Sequence, residues 1–209
     1  MSKAIVLFSG GLDSTTCLYL ARKEYDEVIA LSFDYGQRHI VELRQAKKIA
    51  SKLNLEHLVI KISQEAFLGS ALTQEDIEVP NYRVSKEIPA TYVPARNTIF
   101  IAYALGIAES RKANSIYIGV SSVDYSGYPD CRPEYIESYQ KLINNAIQGQ
   151  EIKLETPLLK LTKKETVAIG LKLGVNYDET ISCYRADANG LACGTCDSCV
   201  LRKKAFKDA

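Results

Sequence analysis

An uninterrupted apolar run, Ala4–Phe8, breaks into Ser9-Gly10-Gly11 and gives way at once to helix-forming sequence. Such a run fits a strand buried on both faces of a sheet. The rest of the chain repeats this alternation. The spacing predicts a helix over Asp13–Lys23, a strand over Glu27–Phe33, and a helix over Arg38–Leu53, where Ile40, Val41, Leu43, Ala46, Ile49, Ala50 and Leu53 share one face. Further strands are expected at His57–Ile62, Ser115–Val120 and, briefly, Glu151–Glu155. Further helices are expected at Asn97–Arg111 with Asn97 as cap, at Pro133–Ile147 opened by proline, and at Thr162–Leu173, where Thr162 and Glu165 have capping-box spacing. Residues 64–96, punctuated by Pro80, Pro89 and Pro94, form no regular element and read as a binding segment or a lid. The expected fold class is α/β, a five-stranded parallel sheet with helices on both faces. Ligands of such sheets sit beyond the carboxyl ends of the strands, which directs attention to the exits at Ser9, Asp34 and Ser121.

At 209 residues, 46% of them hydrophobic, the chain can build a sizeable core without disulfides. We expect a main α/β domain over 1–175 and a small cysteine-bearing region over 176–209 packed on it. A formal charge of +1 gives no bulk attraction to nucleic acid or anionic lipid. Met1-Ser2-Lys3 runs straight into the first strand without a secretory pattern. The longest nearly uninterrupted apolar stretch, Ile99–Ala108, is half the ~20 residues a membrane span needs. The expectation is a cytoplasmic protein whose cysteines stay reduced.

At the first exit, two adjacent glycines let the backbone turn sharply and approach a ligand with no Cβ in the way. The helix that begins there aims free N–H groups and its positive dipole end into the turn. Hydroxyls of Ser9, Ser14 and Thr15 add donors. No Gly-Lys-Ser/Thr follows, so this is not a Walker A loop, and no G-x-G-x-x-G is present. The string Ser9-Gly10-Gly11-Leu12-Asp13-Ser14, set between a first strand and a first helix, resembles the pyrophosphate loop of the adenylating ATP pyrophosphatase superfamily. The plain alternative is a tight turn capped by Asp13. At the second exit, Asp34 either accepts from a ribose hydroxyl or an adenine amino group or caps the next helix.

Near the C-terminus, Cys183-x9-Cys193-x2-Cys196-x2-Cys199 offers four thiolates. A closed all-cysteine set suits tetrahedral, structural Zn²⁺, and Gly194 relaxes the tight hook. Arg185, Arg202, Lys203 and Lys204 are close enough in sequence to offset part of the negative charge. A redox-active C-x-x-C pair or unliganded buried thiols are the alternatives. Cys17 and His57 read as structural.

Read together, Phe8–Leu18, Asp34–His39, Tyr92–Asn97, Gly119–Glu134, Thr156–Leu159 and Ser182–Arg202 resemble, in order and over nearly the whole chain, the 7-cyano-7-deazaguanine synthase family of the queuosine pathway. The Asp124–Glu134 string and the four-cysteine tail carry the likeness most specifically. The resemblance implies an adenine nucleotide alpha hydrolase-like, Rossmann-like fold. It implies a ligase using ATP with Mg²⁺, 7-carboxy-7-deazaguanine and ammonia, with one structural Zn²⁺ per chain, a homodimeric state, and no nucleic-acid or membrane partner. Chemically, a carboxylate is a poor electrophile until a nucleotidyl or phosphoryl group on its oxygen supplies a leaving group. Ammonia attack then gives the amide, and a second activation gives the nitrile. With no glutamine-hydrolysing domain read in these residues, free ammonia is the expected nitrogen donor. Whether AMP or ADP leaves stays open.

The same resemblance implies ATP contacts from Phe8, Ser9, Gly10, Gly11, Leu12, Asp13, Ser14, Thr15, Thr16, Cys17, Leu18 and Asp34, with Ser9, Asp13, Ser14 and Arg96 catalytic. Substrate contacts are expected from Tyr35, Gln37, Arg38, Asp124, Tyr125, Asp130 and Arg132. An aspartate can pair with the guanine-like edge, and an arginine can grip the carboxylate bidentately. Arg96 could clamp phosphate or carboxylate, or sit on the surface. His39 is the more plausible site histidine, and Cys131 lines the candidate loop. Two positions depart from the family pattern: Ala95, and the Arg185-Ala186 step, where glycine is usual. A tRNA-thiolating relative and a non-catalytic zinc-knuckle module are the competing functions, the first disfavoured by charge and the second by the intact loop.

Overall fold

A computed structural model describes residues 1–38, 40–85, 87–123 and 128–208. Five strands, β1 (Lys3–Leu7), β2 (Glu27–Asp34), β3 (Glu56–Lys61), β4 (Ser115–Tyr117) and β5 (Lys153–Glu155), form one all-parallel sheet in the order β3-β2-β1-β4-β5. Ile5 lies opposite Ile29 on one side and Ile116 on the other. The strand order therefore reverses at the β1–β4 seam, where a parallel sheet opens a crevice at its carboxyl edge.

Side chains alternate along β1 into two cores, as the two-residue period of a strand requires. Ile5 and Leu7 join Ile101, Ala104, Ile136 and Ile143, from α3 (Arg96–Ser110) and α4 (Pro133–Ala146). Ala4, Val6 and Phe8 join Cys17, Leu18, Ala46 and Ile49, from α1 (Leu12–Glu24) and α2 (Val41–Lys52). Both faces are covered, which is why the β1 sequence is apolar from Ala4 onward instead of alternating. Behind α1 lie α5 (Lys163–Lys172) and α6 (Asp197–Asp208), packing Val167, Val175, Tyr177 and Ala205 against Leu12. Among the described residues, no helix is long and apolar enough to cross a membrane.

The capping box at Thr162 and Glu165 forms as expected, and Pro133 opens α4. Several boundaries differ from expectation. The second helix starts at Val41, leaving Arg38 in the preceding loop, where its guanidinium donates to the Ala71 and Ile77 carbonyls. Asn97 does not cap α3. The helix begins one residue earlier from Ala95, and the Asn97 amide donates instead to the Asp130 carbonyl at 3.2 Å. The Asp130 carboxylate takes the Asn97 backbone N–H, so a later segment satisfies part of this helix start. Among the described residues, segment 64–95 is irregular apart from a 3-10 turn at Gln64–Phe67, and Arg96 already belongs to α3. The sequence reading did not anticipate α6.

Candidate active site

The turn after β1 is built from its own hydroxyls. Ser9 Oγ accepts from the Gly11 N–H, the Ser9 N–H donates to Ser14 Oγ, and the two hydroxyls lie 3.0 Å apart. Gly10 sits at φ +79°, and a Cβ there would come within 2.8 Å of the Ala46 backbone nitrogen, so this turn is pressed against α2. On the other side, a Cβ on Gly119, just beyond β4, would lie 3.1 Å from the Ser14 nitrogen. Glycine at both places lets three elements close around the start of α1. The Leu12 N–H is taken by Ser182 Oγ at 3.2 Å. The Asp13 and Ser14 N–H groups head the helix, where no intrahelical acceptor exists, and both residues line the crevice.

A cleft with room for about 280 Å³ of solvent opens over this turn. Phe8, Ser9, Gly11, Leu12, Asp13 and Ser14 line it, together with Tyr35, Gln37 and Arg96. Others among the expected nucleotide residues do not reach it. Thr15 Oγ1 bonds back to the Gly11 carbonyl, Thr16 Oγ1 bonds to the Leu12 carbonyl and the Tyr177 hydroxyl, and Cys17 and Leu18 are fully buried in the core. These side chains build the helix under the loop. Asp34 is half-buried outside the cleft lining and does not cap α2, whose first flanking residue is Ile40.

Asp13 is ion-paired. Lys163 Nζ donates to both of its carboxylate oxygens, at 2.7 and 2.8 Å, and Lys163 is almost wholly buried. The capping box at Thr162 fixes the first turn of α5 so that this ammonium enters the cleft. The sequence reading missed Lys163; the capping-box spacing located its helix but not its direction. Arg202, expected near the cysteines, is close enough to Cys199 to interact with it electrostatically, and it also lines the cleft, donating to Thr180 Oγ1, Ser182 Oγ and the Tyr177 carbonyl. Glu42, unremarked in the sequence, also lines the cleft, and burial lifts its carboxyl to about 8, Arg96 working against that rise.

At the far end Arg96 faces Tyr35, Asp130 and Tyr128. Burial opposes its charge, but these three groups together hold the guanidinium above its ordinary value, so it stays cationic. Burial raises the Tyr35 and Tyr128 phenols and pushes the Cys131 thiol up to about 12. Cys131 therefore lines the cleft as a neutral thiol, a poor nucleophile. Asp130 is buried on Asn97. Gln37 braces the turn after β2, its amide accepting from the Tyr35 N–H and donating to the Phe33 carbonyl. Arg132 is exposed before α4, and Arg38 is exposed in the loop before α2; neither is among the residues lining the cleft. Asp124, Tyr125 and His39 lie outside the described residues.

The Sγ atoms of Cys183, Cys193, Cys196 and Cys199 all lie within 4.8 Å of one another, with Cys183–Cys196 at 4.0 Å and Cys193–Cys199 at 3.9 Å. A thiolate tetrahedron with metal–sulfur bonds of about 2.3 Å has edges of about 3.8 Å, so the cluster is sized to hold a metal ion. Backbone N–H groups of Arg185 and Cys193 already point at Cys183 Sγ, at 3.3 and 3.2 Å, which favours the ionised sulfur. The Arg185 guanidinium bonds Val79, Asn81 and Thr195 beside the cluster. The same segment reaches the phosphate turn, because the Ile181 N–H donates to the Gly10 carbonyl. Of the two departures from the family pattern, Ala95 does sit at φ +53°, whereas Ala186 is buried without a positive φ.

A glycine turn at the order reversal of a five-stranded parallel sheet, with Lys163 and Arg96 in the cleft beside it, gives the chain a nucleotide-binding-type fold of the adenine nucleotide alpha hydrolase-like class. Solved structures agree on the fold. NMN synthetase from Francisella tularensis matches over 94% of this chain and 70% of its own, with TM-score 0.51 and 23% identity. The U34-tRNA thiolase NcsA from Methanococcus maripaludis matches over 99% and 72%, with TM-score 0.53 and 16% identity. At those identities the likeness shows the fold alone. The chain belongs to the family described as Queuosine biosynthesis protein QueC, whose model matches residues 3–209. Curated relatives called 7-cyano-7-deazaguanine synthase include those of Coxiella burnetii (strain RSA 331 / Henzerling II), 56% identical over 100% of this chain and 95% of the relative. Those of Legionella pneumophila (strain Corby) and Hydrogenovibrio crunogenus are 55% and 53% identical, each over all of this chain and 94% and 93% of the relative.

Proposed function

We propose that this chain is the ATP-dependent enzyme that its relatives' name describes, joining ammonia to 7-carboxy-7-deazaguanine and dehydrating the product to 7-cyano-7-deazaguanine. The observation that carries the reading is the convergence of the Ser9–Ser14 turn, the Asp13–Lys163 pair and Arg96 on one cleft. The free N–H groups of Asp13 and Ser14 hold polyphosphate, with Lys163 balancing charge at its edge. Arg96 grips the acid's carboxylate and turns its oxygen toward the nucleotide. Tyr35 and Phe100 give the planar heterocycle an apolar wall. Mg²⁺ would neutralise the polyphosphate charge that builds up as the ester forms. Nitrogen attack on the activated acyl carbon then breaks the C–O bond and expels the nucleotidyl phosphate, giving the amide, and a repeat at the amide oxygen gives the nitrile. A pyrophosphate-type loop favours release of AMP and pyrophosphate.

In this reading residues 1–175 form the catalytic domain, and 176–209 form a small region organised by one Zn²⁺ on Cys183, Cys193, Cys196 and Cys199. The protein works in the cytoplasm as a homodimer, without nucleic acid. Incubating zinc-loaded protein with MgATP, ammonium and the deazapurine acid should give the nitrile, with one nucleotide consumed at each activation. Absence of both amide and nitrile would sink the reading. Whether AMP or ADP accumulates fixes the chemistry of activation.

A further inference from the structure

We propose that Glu42 is the general base that takes a proton from ammonium and so makes the attacking ammonia inside the cleft; this rests on the ligase reading above. Glu42 is the second residue of α2, and the packing of that helix start on the phosphate turn fixes its position. A Cβ at Gly10 would lie 3.1 Å from the Glu42 carbonyl oxygen, so the two segments are in van der Waals contact. The side chain lines the cleft shared by Ser14, Asp13, Lys163 and Arg96. Arg96, from the start of α3, and Tyr35, from the β2 exit, are the ionisable groups that act on it, and no described residue donates a hydrogen bond to its carboxyl.

The other ionisable groups of the cleft are unsuited to this role. Asp13 is held by Lys163, Arg202 is a cation, and Tyr128 and Cys131 keep their protons. With burial raising its carboxyl to about 8, Glu42 exchanges protons in the range where a base must both accept and release them. A neighbouring Arg96 that holds the substrate carboxylate puts Glu42 beside the reacting carbon.

Ammonia is mainly ammonium at neutral pH and has no free electron pair. The Glu42 carboxylate takes one proton, and the freed pair forms the C–N bond. The C–O bond to the nucleotide breaks, its electrons leaving on phosphate, and the surplus N–H proton passes to that phosphate or to water. Glu42 then releases its proton to water. In the second activation Glu42 removes the imidate N–H proton as the C–O bond breaks and the C≡N bond forms.

Full-length, zinc-loaded Glu42→Gln and Glu42→Asp variants test this with either ammonium or hydroxylamine, a nitrogen nucleophile that is unprotonated near neutral pH. Glu42→Gln should lose about 100-fold in ammonium-dependent turnover while hydroxamate formation stays within about threefold of the parent. Glu42→Asp should recover part of the loss. At saturating ammonium, the parent's kcat should rise through about pH 8, and that limb should be absent in Glu42→Gln. Undiminished ammonium turnover in Glu42→Gln would overturn the proposal. So would an equal loss of hydroxamate, which would assign Glu42 to binding or folding. If the parent makes neither product, the ligase reading itself fails, and this inference falls with it.

Discussion

At Ala95 a methyl group occupies a left-handed backbone conformation, φ +53° and ψ +16°, that only glycine adopts freely. Ala95→Gly should therefore stabilise the protein by about 1 kcal/mol, read as a higher urea midpoint with unchanged slope. The Asp13–Lys163 pair makes a second residue-scale prediction. Lys163→Met leaves the Asp13 charge uncompensated at the mouth of the anion cradle, so affinity for MgATP should fall at least about tenfold by calorimetry. Glu42 makes a third, for stability. Its folded pKa lies above the ordinary 4.5, so the folded state holds a proton that the unfolded chain has released. The resulting stabilisation is full below about 4.5 and is lost as pH rises toward about 8. Glu42→Gln should lack that decline, and urea melts across this window would expose it. The contiguous Ser9–Ser14 turn was legible in the sequence, because neighbours in sequence are neighbours in space there. Lys163, Glu42 and Arg202 were not, since each arrives from a separate element.

Among the elements, α5 carries a tight constraint. A Cβ on Gly170 would fall 1.8 Å from the Tyr177 hydroxyl, which is held between Thr16 Oγ1 at 2.7 Å and the Thr166 carbonyl at 3.2 Å. Gly170→Ala should cost about 1–3 kcal/mol in stability despite alanine's better helix propensity, because the ring has nowhere to move. A matching loss on Tyr177→Phe, which removes only the hydroxyl, would mean that the hydrogen bonds and not the space decide. The element scale also explains two failures of expectation. Asn97 is a good N-cap by type, but Asp130 reaches α3 from another segment and Ala95 supplies the turn. The α6 sequence, Asp197–Asp208, has no apolar stripe strong enough to announce a helix; Cys199 and Ala205 bury it against other segments.

On the scale of the whole molecule, the cysteine cluster and the phosphate turn are one mechanical unit. The chain leaving Tyr177 donates from the Ile181 N–H to Gly10 and accepts from the Leu12 N–H at Ser182, then enters the four-cysteine hook. Stripping the zinc proposed for this hook with a chelator should therefore weaken MgATP binding by at least about tenfold, and restoring zinc should recover it. Ser182→Ala should weaken binding less, by the worth of one hydrogen bond, with metal content unchanged from the parent. Unaltered nucleotide affinity in the metal-free protein would separate the two sites.

The sequence by itself determined the alternation of strand and helix, the two covered faces of the sheet, the glycine turn at the first strand exit and the cysteine set, because each is written in residues close together along the chain. Only the tertiary structure decided which charges face that turn. The strand order β3-β2-β1-β4-β5 brings the start of α5, the start of α3, the start of α2 and the C-terminal hook to a single crevice. Lys163 and Asp13 are paired across that crevice while far apart in sequence. Short-range pattern fixes what each segment becomes, but side-chain direction at an element's end depends on what packs against it.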